Sequence, residues 1–268
     1  MALRLAMPII GIVNQKGGVG KTTTAINVGA GLADRGQSVL LVDCDPQGNA
    51  TTGIGVDKTR INTTLYDVIA AAADDNNNVI AAFNEAKIEL SSHLHVVPAT
   101  LDLAGAEPIL LNAVGKEMIL KDTLDEVSNL YDWVILDAPP SLGLLTINIL
   151  ATADGIIVPM QCEFFALEGL SQLVKTVELV RRRINPKLKI NKVVITMYDP
   201  RSRLTHEVLD QVTAFFGDKV SPIMIPRNIR LSEAASFGEA AVDRFPRSKG
   251  SVAYKLLVEE LIQDCEKR

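Results

Sequence analysis

The most constraining feature of this chain is a glycine-rich loop between an apolar run and a helical pattern. The apolar run covers residues 8–13, and the helical pattern begins at Lys21. The glycines between them, Gly17, Gly18 and Gly20, have no side chains, so successive backbone N–H groups can converge on an anion. The dipole of the following helix adds positive potential at the same point. The sequence therefore predicts a strand, a phosphate-binding loop and a helix, in that order.

Several side chains of this loop suit a nucleoside triphosphate. Lys21 is placed to reach the β- and γ-phosphates, and the hydroxyl of Thr22 is placed to bind Mg²⁺. Val19 and Thr23 complete the predicted nucleotide-binding segment. A second lysine, Lys16, lies five residues before Lys21, where an ordinary phosphate-binding loop has none. A lone loop lysine is usually solvated, but a lysine inside a phosphate loop favours a phosphate contact.

Length and patterning predict the fold class. With 268 residues, 47% of them apolar, the chain can bury one substantial core, and we expect a single domain over residues 1–268. Strand-like runs alternate with helical stretches, which predicts an α/β fold with a doubly wound, mostly parallel sheet. Ligands of such sheets bind at the carboxyl ends of the strands. The predicted strands cover residues 9–14, 38–43, 93–97, 132–137, 155–160, 191–197 and 220–225. Predicted helices include residues 103–113, 116–130, 142–152, 166–184 and 203–216.

Carboxylates follow two of the predicted strands. Asp43 and Asp45 leave the second strand on the same face, and Asp137 ends the apolar run 133–136. In a phosphate site, a carboxylate can hold Mg²⁺ or orient the attacking water. Aspartate at a strand end is also common in turns and helix caps, and the role of Asp43 stays open.

The loop from Lys16 to Thr22 resembles the deviant Walker A loop of the ParA/MinD family of P-loop ATPases. The resemblance implies that Lys16 crosses a dimer interface to the phosphates of the facing subunit. It also implies that residues 45–49 form a first switch, in which Asp45 orients water, and that residues 137–141 form a second switch, which senses the γ-phosphate. The predicted catalytic residues are therefore Lys16, Lys21, Asp45 and Asp137, and the predicted metal ligands are Thr22, Asp45 and Asp137.

Later segments extend this resemblance over nearly the whole chain. Residues 159–161 and 196–199 match the family, and residues 225–234 are similar to the ParA/Soj subgroup in particular. This match implies that the adenine of ATP is lined by three residues, namely Met197, Pro226 and Asn228.

Two parts of the chain differ from other family members. Only eight residues precede the first predicted strand, so we expect no helix-turn-helix extension of the kind found in the larger plasmid type. Residues 244–248 read Arg-Phe-Pro-Arg-Ser, where subgroup members usually carry Tyr-Asp-Pro-Arg-Ser. The contacts of that turn are therefore not carried over.

Charge bears on nucleic-acid binding. The net charge of −5 and the pI near 5.3 give no long-range attraction to DNA, so binding would need local clusters of cations. Basic residues are frequent in the C-terminal third, although a scattered solvated surface would look the same. The ParA/Soj resemblance implies that ATP-bound dimers bind double-stranded DNA without sequence preference, and Arg201 and Arg230 match positions with that role.

Other features argue against competing classes. The cysteines Cys44, Cys162 and Cys265 lack the spacing of a metal site or disulfide framework, which favours a reducing cytoplasm. We find no pattern for a spanning helix or an export signal. The C-terminal helical pattern, 251–265, has an acidic polar face, whereas a membrane-surface helix would carry a basic one.

Together these features predict a partitioning ATPase of the ParA/Soj type that uses ATP and Mg²⁺. We expect ATP to close a homodimer, the dimer to bind DNA, and a ParB-type centromere-binding protein to stimulate hydrolysis, with the protein in the cytoplasm on the nucleoid and without stable membrane association. Three alternatives stay open: a MinD-like membrane-cycling regulator, a ParA relative that positions a protein cargo, and a metabolic P-loop enzyme such as a ligase or reductase.

Overall fold

A seven-stranded sheet forms the centre of the computed structural model, which describes residues 9–74, 78–163 and 166–267. The strands are β1 (Ile9–Ile12), β2 (Val39–Asp43), β3 (Ile88–Ser91), β4 (Leu94–Val97), β5 (Trp133–Asp137), β6 (Gly155–Gln161) and β7 (Ile190–Thr196). Their spatial order is β3-β4-β2-β5-β1-β6-β7. All neighbouring pairs are parallel except β3 and β4. This topology confirms the prediction of an α/β fold with a mostly parallel sheet.

Helices cover both faces of the sheet because parallel neighbours need crossover connections. The helices are α1 (Lys21–Ala33), α2 (Asn49–Gly53), α3 (Leu65–Ala73), α4 (Val79–Ala86), α5 (Ala106–Asn112), α6 (Ile119–Val127), α7 (Leu144–Thr152), α8 (Ala166–Arg183), α9 (Arg203–Phe216), α10 (Ile229–Ser236), α11 (Ala241–Arg244) and α12 (Lys249–Glu266). Helices α3 to α9 build one apolar cluster with the sheet, and α1, α2 and α10 to α12 build the other.

The central strands are buried along their whole length. Every residue of β1, β2 and β5 is buried. Side chains alternate between the two apolar clusters, so that Leu40 faces one and Leu41 the other. Each fully buried leucine stabilises the fold by about 1.5–3 kcal/mol. The register pairs Asp43 with Asp137, and Ile12 with Asp137 on the other side, so three strand ends meet at one point.

The predicted strand 220–225 is not a strand in the structure. Its backbone runs beside β7 and donates from Ser221 to Val193 and from Ile225 to Ile195, each at 2.9 Å. The two prolines in and after it, at 222 and 226, have no N–H to donate, so a continuous ladder cannot form. The segment therefore makes only isolated bridges.

Some elements differ from the sequence prediction in extent. The short edge strand β3 was not predicted, because its four residues alternate only between half-buried and exposed. The predicted helix 103–113 is divided into a 3₁₀ turn at Leu101–Gly105 and α5. The expected absence of an N-terminal extension concerns residues 1–8, which lie outside the described residues.

The C-terminal helix α12 packs along α1. The hydroxyls of Thr24 and Tyr254 lie 3.0 Å apart in this interface, and Leu257 and Leu261 are buried there. Within the described ranges, no helix combines the length and the apolar character needed to cross a membrane.

Candidate functional site

The phosphate-binding loop joins β1 to α1 at the carboxyl edge of the sheet. Gly18 and Gly20 have positive φ angles of 75° and 87°, a backbone conformation that strains residues with side chains. Gly20 is also the residue that precedes the first turn of α1. These turns direct the loop across the N-terminus of the helix, where free N–H groups and the helix dipole favour an anion.

Side chains outside the predicted site hold this loop in place. The amide of Gln161 donates to the carbonyl of Gly18 at 2.7 Å, and the hydroxyl of Thr196 donates to that of Val19 at 2.8 Å. The side-chain oxygen of Asn14 accepts the backbone N–H two residues further on at 3.0 Å. The sequence patterns described above do not predict these three roles. The available signal was a polar residue ending a buried strand, as Gln161 ends β6 and Thr196 ends β7.

Lys21 lies at the centre of the loop and is almost fully buried, with 6% of its surface exposed. Its Nζ donates to the carbonyl of Lys16 at 3.0 Å. Burial lowers the pKa of Lys21, and the nearby carboxylates of Asp137 and Asp45 oppose this effect. The ammonium group therefore lies between the loop and the predicted acids.

Asp137 ends β5 below Lys21 and is fully buried. Within the described residues, neither of its carboxylate oxygens has a hydrogen-bond partner. Burial raises the pKa of Asp137 well above its usual value, and the charge of Asp43 raises it further. The Thr22 hydroxyl and the Lys21 ammonium are close enough to oppose the rise, but neither makes a hydrogen bond of normal geometry. Such a buried acid is suited to a cationic ligand.

These residues fit a magnesium ion bound together with a nucleotide. Mg²⁺ prefers oxygen ligands and is usually held by one or two carboxylates plus substrate phosphates. Asp137, Thr22 and the 6% exposed Asp45 offer oxygen atoms of that kind. Among the described residues, no three His, Cys, Asp or Glu side chains are placed to hold a metal by themselves. The site therefore suits a metal that takes part of its ligands from phosphate.

The contacts of Asp43 give this residue a structural role, which the sequence had left open. Its Oδ2 accepts the N–H and the hydroxyl of Thr51 at 2.8 and 2.7 Å, and its Oδ1 accepts the N–H of Asp45 at 3.1 Å. Burial raises the pKa of Asp43 to about 6. Asp43 thus fixes α2 and the loop that carries Asp45.

A cleft of about 580 Å³ lies over the phosphate-binding loop. It is lined by most of the predicted phosphate and metal residues: Gly17, Gly18, Gly20, Lys21, Thr22, Thr23 and Asp45. Val19 and Asp137 do not line it, since both side chains are buried.

A second cavity, of about 260 Å³, adjoins the first and shares Gly20, Thr23 and Met197 with it. Asn228 also lines it, as predicted for the adenine end. Pro226 does not line this cavity, because its backbone forms a bridge with Tyr198 instead. The two cavities together give one elongated cleft with a phosphate end and an apolar end.

Met197 has a strained backbone at the junction of the two cavities. Its φ of 49° is the only positive value among the described residues other than glycine. Such a conformation costs of order 1–3 kcal/mol and is concentrated at functional sites. The amide of Gln161 lies 3.0 Å from its sulfur, which holds the side chain over the cleft.

Lys16 is not among the residues that line the cleft of its own subunit. Its Nζ forms an ion pair with Glu163, and the two side chains are 40% and 51% exposed. The adjacent Gly17 has open space around it, since a methyl group added at its Cα would have only Pro140 within 4 Å, at 3.9 Å. The rim of the phosphate site is therefore accessible from outside at these two residues.

Of the predicted DNA-binding arginines, Arg201 lies in the turn before α9 and Arg230 in the first turn of α10. Arg201 is 88% exposed and binds Asp199 through two hydrogen bonds of 3.0 Å. Arg230 is half exposed and pairs with Glu233 at 2.6 Å. The bridge that follows β7 joins the loop before Arg201 to the loop before α10, so both side chains belong to one end of the molecule.

The chain resembles known proteins over nearly its whole length. A family described as an AAA domain matches residues 7–190. The chain is 49% identical over 253 residues to the sporulation initiation inhibitor protein Soj of Bacillus subtilis, covering 94% of this chain and 97% of that protein. It is 48% identical over 256 residues to the chromosome partitioning protein ParA of Caulobacter vibrioides, covering 95% and 93%. A solved structure of cobyrinic acid a,c-diamide synthase from Mycobacterium smegmatis, with bound ADP and magnesium, matches with a TM-score of 0.80 and 35% identity over 96% of this chain and 94% of that one.

Proposed function

The chain belongs to the ParA/Soj family of partitioning ATPases, and from this premise we propose that it is a DNA-binding switch driven by dimerisation. It is an ATPase that uses ATP and Mg²⁺. In our proposal, a single ATPase domain closes into a homodimer on binding ATP, binds double-stranded DNA without sequence preference, and leaves it after hydrolysis. The observation that carries the proposal is the position of Lys16, which lies at an open rim and outside the cleft of its own subunit.

Hydrolysis adds the oxygen of water to the γ-phosphorus and breaks the bond to the β-phosphate oxygen, giving ADP and phosphate. Asp137 and Thr22 would hold Mg²⁺, which would supply positive charge to offset that of the phosphates. We assign to Lys21 the neutralisation of the same oxygens, and to Asp45 the orientation of the attacking water. Asp43 fixes the backbone of Asp45, so the carboxylate that meets the water is kept in one position.

Dimerisation would add a cation from the facing subunit. Phosphoryl transfer builds negative charge on the γ-phosphate oxygens, and a cation supplied in trans stabilises that charge. In our proposal Lys16 leaves Glu163 and contacts the phosphates of the facing subunit. The glycine at 17 then allows the two backbones to approach closely.

The DNA surface is proposed at the end of the molecule that carries Arg201 and Arg230. Guanidinium groups bind phosphate oxygens through paired hydrogen bonds, which fixes position but reads no sequence. Doubling this surface in a dimer makes DNA binding depend on ATP. We propose a ParB-type centromere-binding protein as the partner that stimulates hydrolysis, with the protein located in the cytoplasm on the nucleoid.

The test is DNA binding by an Arg201→Glu/Arg230→Glu variant, with Arg181→Glu/Arg182→Glu as the matched control. The control changes the same net charge on exposed residues at the end of α8. Binding of the parent to a random-sequence duplex should require ATP and weaken with salt, by a slope of about −0.9 per phosphate neutralised. The first variant should dimerise with ATP but bind DNA much more weakly, with a shallower slope, whereas the control should bind like the parent.

Two results would contradict the proposal. Equal loss of affinity in both variants would mean that net charge, and not this surface, governs binding. A parent that binds no duplex with any nucleotide would remove the DNA function and favour the cargo-positioning or membrane-cycling alternatives.

A metabolic ligase is the second candidate, favoured by the likeness to the diamide synthase structure. A ligase would activate a carboxylate of its substrate with ATP, so its ATP turnover would depend on an acceptor acid and an amine donor. ATP turnover stimulated by DNA and partner protein alone would exclude this candidate.

A further inference from the structure

The turn at residues 244–248, which departs from the family pattern, forms a stack of arginine and phenylalanine side chains with α10. Arg244 and Phe245 come from the turn, Arg230 comes from α10, and Phe237 follows that helix. The guanidinium of Arg230 lies 4.9 Å from the ring centroid of Phe245. Arg244 lies 5.6 Å from the same ring and 3.7 Å from the ring of Phe237. These distances fall within the range of cation–π attraction, for which about 6 Å is the limit.

The stack leaves hydrogen-bond donors free on both guanidinium groups. A cation–π contact uses the flat face of the guanidinium, whereas its five N–H donors lie in the plane. Arg230 uses Nη1 for Glu233, and Arg244 uses Nη1 for Glu239. The side chains of Arg230 and Arg244 are 50% and 30% exposed. Exposed donors in the plane therefore remain for an anion after the ring and the carboxylate have fixed each group.

We propose that Phe245 is a positioning residue for DNA binding, whose ring holds Arg230 and Arg244 with their in-plane donors toward the same phosphate-bearing surface. This inference rests on the proposed function, because it concerns the same DNA surface. Arg230 is half exposed, and an exposed arginine without such a contact samples many rotamers, whose entropy is lost when it binds phosphate. The ring pre-organises the side chain and reduces that loss.

The test compares Phe245→Leu, Phe245→Tyr and Arg230→Ala for binding to a fluorescein-labelled random-sequence duplex in the presence of ATP. Phe245→Leu keeps an apolar side chain but removes the aromatic face, so affinity should fall about three- to tenfold. The number of charges is unchanged, so the salt slope should stay that of the parent. Phe245→Tyr should restore parental affinity. Arg230→Ala should instead make the slope shallower by about 1.8, because each dimer would lose two phosphate contacts.

Phe215→Leu is the control with the same change of side chain. Phe215 is an exposed phenylalanine near the far end of α9 that contacts the ring of Phe216, and the described contacts place none of these arginines over its ring. This control should bind DNA like the parent. Parental affinity in Phe245→Leu, together with weaker binding in Arg230→Ala, would overturn the positioning role and leave the proposed function standing. Parental affinity in Arg230→Ala would remove this arginine from the DNA surface itself. The midpoint of thermal unfolding establishes that each variant is folded.

Discussion

Asp137 combines a functional position with an unfavourable environment. Its two oxygens are buried without hydrogen-bond partners in the described part of the chain, and an unsatisfied buried polar group costs about 1–3 kcal/mol. Natural proteins keep such groups where a ligand will satisfy them. The folded protein without nucleotide is therefore less stable than its fold would allow.

Asp137→Asn should separate the cost of the buried carboxylate to stability from its role in binding Mg²⁺. We expect it to raise the midpoint of thermal unfolding of the nucleotide-free protein, by about 2–4 °C for each kcal/mol gained. It should also remove most of the Mg²⁺ dependence of ATP affinity, because an amide is a poorer magnesium ligand than a carboxylate. Scanning calorimetry and titration calorimetry with and without Mg²⁺ measure the two quantities. The control is Asp210→Asn, an exposed change on α9, which should alter neither the unfolding midpoint nor the Mg²⁺ dependence. An unchanged Mg²⁺ dependence in Asp137→Asn would refute the metal assignment.

At the scale of elements, the phosphate-binding loop places different demands on its glycines. Gly18 needs a left-handed backbone, with φ of 75°. Gly17 does not, and its side is open within the subunit. In the dimer that we propose, the need for glycine at position 17 comes from the approach of the second subunit.

Gly17→Val should accordingly fold normally but fail to dimerise. Its branched side chain would occupy the space through which a second backbone approaches. We expect an unchanged midpoint of thermal unfolding and no increase in mass with ATP by light scattering. Gly18→Ala should behave differently, since strain within the loop itself should weaken ATP binding in calorimetry. ATP-dependent dimerisation of Gly17→Val at the parental level would count against the dimer that we propose.

The contact between α1 and α11 contains a pair of acids. Burial raises the pKa of Asp243 to about 6, and Asp34 and Glu239 raise it as well, while Lys255 opposes them. In the unfolded chain the pKa of an aspartate is about 3.9. Between these values the folded state binds more protons than the unfolded state, so stability falls as the pH rises from about 4 to 6.

Asp243→Asn should remove this pH dependence. The amide can still donate to Asp34, and it carries no charge at any pH. We expect the variant to be more stable than the parent above pH 6, and the difference in unfolding midpoint to shrink toward pH 4. Because Asp243 is also exposed to solvent, screening should limit the difference to about 1–3 °C. A difference that does not change with pH would show that the carboxyl does not titrate in this way.

For the whole molecule, the sequence predicted site residues that lie close together along the chain and missed supporting residues that are far apart along it. Lys21 and Thr22 belong to one short motif whose spacing along the chain reveals it. Gln161 and Thr196 support that motif from 143 and 177 residues away, and their position at the ends of strands does not by itself show which loop they contact. The acids Asp45 and Asp137 were found because both follow buried strands that the apolar pattern marks.

The fold prediction failed where two requirements compete. Residues 220–225 have the apolar character of a strand, but the prolines at 222 and 226 remove donors that a strand needs. Hydrophobic burial determined where the segment lies, and the missing donors determined that it does not extend the sheet. The edge strand β3 is the opposite case. Its backbone N–H groups are available for pairing with β4, but its residues do not show the apolar pattern of a buried strand.

The carboxylates beside the proposed DNA contacts have a further consequence. Arg201, Arg230 and Arg244 are paired with Asp199, Glu233 and Glu239. Arg201 holds the pKa of Asp199 at about 2, so this carboxylate stays charged at any physiological pH. Each acid thus stays beside its arginine and offsets part of the attraction between that arginine and a DNA phosphate. One subunit would therefore bind DNA only weakly, and two linked surfaces would be needed for firm binding, so residence on DNA would end as soon as the subunits part.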